Sequence, residues 1–247
     1  MDMNDLNNCP MLRILYRTDP DKIAALLPPG IEPGAEPNVH LNIYNVPILG
    51  EPEYGCVTKV DANYKGIPGH YALGYAIDQE AAVFISQELN GQPKYPAEIK
   101  YYRIGNSVGA KVTHQGYTFV EFEGEVGATI PNGPDEEANE WWIKVSRAIG
   151  GAEKAYDFPP HVVRVNSVSG TSLIEDVKGT LTLRDSPWDP LTTLLPMREQ
   201  ISARLVSALH RSREITNAGP LDPEAFWPYA DVISGSRFPG FRGGPKP

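Results

Sequence analysis

From Val39 to Leu49 the chain reads VHLNIYNVPIL, with Val39, Leu41 and Ile43 on one side of an extended backbone and His40, Asn42 and Tyr44 on the other. A period of two predicts a strand with two unlike faces. The same alternation predicts strands at YGCVTKVDANY, which carries Lys59, and at GHYALGYAID. It returns in EIKYYRIG, SVGAKVTH and YTFVEFEGEV, which Gly105-Asn106 and Gln115-Gly116 divide as turns divide an antiparallel meander. HVVRVNSVSG and SLIEDVKGTLTLR predict two strands more.

Helical spacing is rarer. In YRTDPDKIAALLPPG, Thr18 or Asp19 can cap, Pro20 suits a first turn, and Ile23, Leu26 and Leu27 share a face before Pro28-Pro29-Gly30 stops the helix. In DQEAAVFISQEL, Asp78 can cap while Ala81, Phe84, Ile85 and Leu89 recur at helical spacing, and Asn90-Gly91 supplies the stop. NEWWIKVSRAIG reads as a helix or as a strand feeding one. PMREQISARLVSALHRSREI favours a helix through Met197, Ile201, Leu205 and Ala208. From Asn217 to Pro247 the chain is rich in Pro, Gly and aromatics and reads as an extended C-terminal arm, poorly ordered beyond Ser236.

Composition narrows this picture. Glycines and prolines are scattered through the 247 residues as short strands require, which predicts one β-rich domain over residues 1–247 with the arm from about 217. Hydrophobic residues at 41% and a mean hydropathy of −0.32 describe a soluble chain with a sizeable core. No apolar run is long enough for a membrane span. The first ten residues, MDMNDLNNCP, carry no basic residue, which speaks against a targeting leader. A net charge of −9 spread along the chain disfavours nucleic acid. Cys9 and Cys56 fit neither a disulfide framework nor a metal spacing, so a reduced, cytoplasmic setting is expected. His40, His70, His114, His161 and His210 share no ligand spacing, and no metal is predicted. Phosphate-loop, HExxH, paired CxxC and GxSxG motifs are absent.

What remains is SQELNGQPKYPAEIK, residues 86–100, where Lys94 stands between Pro93 and Pro96 at the end of the second helix. A lysine beside prolines is ordinarily a solvated loop residue. Its context changes that reading. In order, RILYRTDPDKIAALLPPGIEP, YKGIPGHYALGYAIDQEAAVFISQEL, QPKYP, GNSVGAKV and GTLTLRDSPWDPLTTLLP resemble the acetoacetate decarboxylase superfamily over about residues 9 to 210.

The resemblance implies an α+β fold. Its β-rich single domain has a curved or closed antiparallel sheet, cone- or barrel-like, around a central pocket, with helices outside. It also shifts MREQISARLVSALH toward strand. It implies that Lys94 forms a Schiff base with a ketone, which requires a neutral amine, whereas a free lysine has a pKa near ~10.4. Burial in an apolar pocket supplies such a shift. The chain departs from the true decarboxylases: Tyr95 replaces their second lysine, their N-terminal arginine falls at about Cys9, and their two glutamates fall at about Asn42 and Lys59.

Relatives with such substitutions handle 2-oxo acids, so the expected function is a lysine Schiff-base lyase, an aldolase-dehydratase or hydratase. True β-keto acid decarboxylation and non-catalytic small-molecule binding are the alternatives. On this reading Lys59 or Arg17, with Asn42, binds a carboxylate, Tyr95 or Asn90 orients water, and Tyr229 enters the pocket from the arm. No cofactor is implied. The partners are a small keto acid and further copies of the chain in a dimer-based homo-oligomer, tetrameric or larger.

Overall fold

The computed structural model describes residues 10–48 and 50–230. In chain order the strands are β1 (Met11–Arg17), β2 (Glu32–Pro33), β3 (Asn38–Ile48), β4 (Glu51–Tyr64), β5 (Ile67–Ile77), β6 (Lys94–Pro96), β7 (Glu98–Ile104), β8 (Ser107–His114), β9 (Tyr117–Ile130), β10 (Glu136–Arg147), β11 (Tyr156–Leu183) and β12 (Glu199–Pro220). The helices are α1 (Pro20–Leu26), α2 (Glu80–Asn90), α3 (Leu191–Leu194) and α4 (Pro223–Phe226). The ladder runs β10-β5-β4-β3-β1-β12-β11, and β11 also pairs with β10, so these strands close into a ring of 7. Closure leaves the ring without a free edge. β9, β8 and β7 extend from β11 as the expected antiparallel meander. The sheet is mixed, because β5 pairs in parallel with β10 and with β6.

Alternation now has a physical meaning. The odd-numbered apolar residues of β3, Val39, Leu41 and Ile43, join Leu12, Ile14 and Tyr16 of β1 in the main core, together with Val112, Val120 and Phe122 of the meander. The opposite faces of the same strands, with Arg13, His40, Asn42 and Tyr44, line a cavity inside the ring. Trp141 and Trp142 are neighbours on β10 and both fully buried, yet Trp141 belongs to the main core. Trp142 belongs to a smaller core with Val57, Tyr75, Val163 and Val165, which Ala82 and Val83 of α2 join. Truncating either tryptophan to alanine would cost roughly 3–5 kcal/mol.

Several sequence expectations change. NEWWIKVSR is strand, the later part of β10, and AIG turns out of it; the period of two sends the adjacent tryptophans into separate cores. MREQISARLVSALHRSREI forms β12, as the resemblance implied: pairing with β1 on one side and β11 on the other overrides its helical spacing. HVVRVNSVSG and SLIEDVKGTLTLR are one strand of 28 residues, β11, bent by register shifts. The second helix forms, and Gly91 closes it at φ +65°, where its N–H bonds back to the last turn. Its predicted apolar stripe, however, faces outward: Ala82 and Val83 are buried, while Phe84, Ile85 and Leu89 are 64%, 46% and 69% exposed. Of the predicted extended arm, Asn217–Pro220 completes β12 and residues 223–229 form α4 and a 3-10 turn. Residues 231–247, including the tail beyond Ser236, lie outside the described residues, as does Cys9. No helix among the described residues is long and apolar enough to cross a membrane.

Candidate active site

The ring encloses a cavity of about 600 Å³ lined from all seven of its strands. Its walls include Arg13, Asn42, Lys59, Glu140, Arg204 and Arg213. Lys94 and Glu53 are not among its lining residues. The parallel register sets Lys94 beside Tyr75 and Tyr95 beside Ala76, so the two residues face opposite ways. Tyr75 lines the cavity, and Lys94 shares its face. Tyr95 instead packs in the main core with its ring 4.9 Å from His114, which pairs with the fully buried Asp189 at 2.7 Å. A role for Tyr95 beside the amine is therefore not supported.

Lys94 is not solvated: it is 5% exposed, and its Nζ donates to Glu53 Oε2 at 2.7 Å. Glu53, 2% exposed, accepts on its other oxygen from the Tyr44 hydroxyl at 3.0 Å. Tyr44 lines the cavity, which makes it the link between the cavity and the amine. Gly55 lies opposite Tyr44 in the β3–β4 ladder, and any Cβ there would collide with the tyrosine ring. Burial, with Glu53's negative charge next, pushes the Tyr44 phenol well above its ordinary pKa, so it stays a hydroxyl donor. Pro93 holds the loop by accepting from Tyr75 N at 2.9 Å, and the Gln87 side chain caps the Lys94 carbonyl.

A second lysine–glutamate pair lies further along the wall. Lys59 Nζ sits 3.0 Å from Glu140 Oε2, while Trp142 Nε1, at 2.5 Å, and the Tyr75 hydroxyl both donate to the other carboxylate oxygen, Oε1. Burial pushes the Glu140 carboxyl up, but the charge of Lys59 and the three donors outweigh it, leaving the carboxyl below its ordinary range. Beyond this pair, His40 Nε2 lies 2.6 Å and His70 Nε2 3.5 Å from Asp61 Oδ1, on three adjacent strands. Burial, then the charges of Lys59 and His40, lower the His70 pKa to about 3. The three side chains' ligand atoms lie within 4.8 Å of one another, a grouping the scattered histidines did not announce in sequence.

The remaining expected site residues divide. Asn42 and Lys59 line the cavity. Arg17 does not: it lies on the surface in ion pairs with Glu36 at 3.4 Å and Glu199 at 3.5 Å. Its strand delivers Arg13 to the cavity instead. Asn90 is the last residue of α2, a partly exposed helix stop outside the cavity lining. Tyr229 bonds the Leu27 carbonyl at 3.1 Å, so it anchors the 3-10 turn to the end of α1 rather than entering the cavity. Sequence reasoning missed Glu53, Tyr44, Tyr75, Glu140, Arg13 and Arg204. Tyr44 shares the alternating face of Asn42, and Glu53 that of Lys59, the one signal available for them. Buried acids do reach this site, from positions other than Asn42 and Lys59.

A closed, mostly antiparallel ring around a cavity, with a buried amine–carboxylate pair reached from it through Tyr44, is the architecture of a small-molecule pocket. The chain belongs to the acetoacetate decarboxylase family, whose model matches residues 1–218; family members are enzymes that act on small keto acids. It is 36% identical over 91 residues to the acetoacetate decarboxylase of Paraburkholderia phytofirmans, a match covering 35% of this chain and 35% of that protein. The fold is similar to a solved acetoacetate decarboxylase from Legionella pneumophila, at TM-score 0.72 and 18% identity over 85% of this chain and 86% of that one. It is also similar to the enduracididine biosynthesis enzyme MppR complexed with pyruvate, at TM-score 0.67 and 18% identity over 84% and 88% of the two chains. An acetoacetate decarboxylase-like enzyme from Sphingomonas wittichii RW1 gives TM-score 0.71 at 17% identity over 86% and 92%.

Proposed function

We propose that this protein is a lysine Schiff-base lyase acting on a 2-oxo acid, an aldolase-dehydratase or hydratase. The observation that carries the reading is the enclosed contact of Lys94 Nζ with Glu53 at 2.7 Å. Glu53 takes a proton from the Lys94 ammonium, and the freed amine attacks the C2 carbonyl. The attacking nitrogen passes one proton to the carbonyl oxygen and the protonated Glu53, directly or through the Tyr44 hydroxyl, supplies the second, so that the oxygen leaves as water and the protonated imine remains. That imine withdraws electrons from C3. A carboxylate beside the nitrogen is then placed to remove a C3 proton and form the enamine, which adds to an aldehyde or exchanges a hydroxyl at the next carbon. The substrate carboxylate finds a lumen whose wall carries Arg13, Lys59, Arg204 and Arg213 against Glu136 and Glu140, in a chain with net charge −9.

Decarboxylation of a β-keto acid is the second reading, favoured by the buried acids Glu53 and Glu140, which restore negative charge to the pocket. Loss of carbon dioxide from the imine makes the enamine without a base, so a proton-abstracting role for Glu53 at C3 belongs to the first reading alone. Borohydride reduction in the presence of pyruvate, read by intact mass, tests both: a permanent adduct is expected in the wild type and absent from K94A. Its absence from the wild type would leave a non-catalytic binding protein. Rapid gas release from acetoacetate would select decarboxylation over proton abstraction. A cytoplasmic homo-oligomer accompanies this reading, supported by the free, buried Cys56 and by the exposed Phe84, Ile85 and Leu89 on α2, which a second copy would cover.

A further inference from the structure

Arg13 occupies the middle of a three-strand row. It faces Asn42 across the β1–β3 ladder and Arg204 across the β1–β12 ladder, and all three line the cavity. Two like charges directly opposite on one sheet face repel and destabilise the pair. Neither arginine forms an ion pair among the described residues, and Arg13 Nε is buried with no hydrogen-bond partner. The compensating charges are Glu136 on β10, which acts on Arg13, and Asp176, opposite Arg204 in the β11–β12 ladder, with no ion pair between Asp176 and Arg204 among the described residues. Repulsion and an orphaned donor persist together where a ligand anion completes the arrangement.

We propose that Arg13 and Arg204 clamp a second carboxylate of the substrate, so that the cavity selects dicarboxylic 2-oxo acids over monocarboxylic ones. This rests on the Schiff-base reading only for which ligand carbon meets Lys94. Steps of roughly 5 Å between paired strands and 7 Å between alternate residues set the scale of the wall. Asn42 is two residues from Tyr44 on the same face, roughly 7 Å along the strand, and Tyr44 bonds the Glu53 that holds Lys94, so the arginine row lies one alternate residue from the contacts that lead to the amine. Asn42, beside Arg13, supplies a neutral donor and acceptor to the same ligand.

The test compares 2-oxoglutarate with 2-oxopentanoate, equal in chain length and differing in the distal carboxylate. Borohydride adducts are titrated by intact mass on wild type, R13Q and R204Q. Charge-assisted hydrogen bonds predict half-saturation at a concentration at least about tenfold lower for 2-oxoglutarate in the wild type. Each substitution is expected to shrink that ratio, and R204Q, which relieves the repulsion, is expected to melt no lower than wild type. Equal half-saturation by the two acids in the wild type would overturn the clamp while leaving the imine intact. If no 2-oxo acid is trapped, titration calorimetry with glutarate decides separately: binding by wild type that R204Q loses upholds the clamp, and no binding by wild type refutes it.

Discussion

Two lysine–glutamate pairs, one in the cavity wall and one reached from it through Tyr44, differ in how fully their carboxylates are occupied. Glu140 receives Lys59 on one oxygen and both Tyr75 and Trp142 on the other, so three donors fix its charge. Glu53 receives Lys94 and Tyr44. A saturated carboxylate serves as structure; one with two partners, both able to move protons, can serve chemistry. The pair with Lys59 thus explains why that lysine, expected to hold a substrate carboxylate, spends its charge on the wall.

Substitutions can break this contrast at its strongest point first. K94A is expected to abolish the reductive adduct altogether, measured by intact mass. E53Q, which keeps the shape but removes the base, is expected to slow imine formation by about 10²–10⁴-fold, followed by stopped borohydride trapping. E140Q should act through folding: disrupting a buried pair costs roughly 3–5 kcal/mol, read by chemical denaturation, while trapping falls far less than in E53Q. Equal trapping losses in the two glutamine variants would erase the distinction between the pairs.

The acid side of the stability profile sharpens the same contrast more gently. Burial and Lys59 hold the folded His70 pKa at about 3, below the unfolded value near ~6.5. The unfolded chain therefore gains a proton first as pH falls, so this contribution is complete above about pH 6.5 and declines toward pH 3. H70Q is expected to flatten that slope in melts across this range. The smallest effect on chemistry is expected from F84S with L89S on α2, which should lower the mass of the assembly by light scattering and leave adduct formation intact.

Much of the sheet was legible because a period of two is a local property. Val39 to Tyr44 announced both faces of β3, and the end of α2 was marked by Gly91. β12 was legible only through the resemblance, since the spacing of Met197, Ile201 and Leu205 suits a helix and strand pairing on both sides decided otherwise. Lys94 stood out through its prolines and its family context. Glu53 did not, since Glu51-Pro52-Glu53 reads as an ordinary acidic turn, and its partner lies 41 residues away. Arg17 was preferred over Arg13 although both occupy β1; curvature and closure carry one into the lumen and leave the other at the surface.

Sequence by itself determined which residues alternate and where helices stop, and it set Lys94 apart between its prolines, because these depend on neighbours along the chain. Which polar face becomes an interior, and which charges meet there, was decided by ring closure. Only when β11 returns to β10 does a face that any strand would offer to water become the wall of an enclosed cavity.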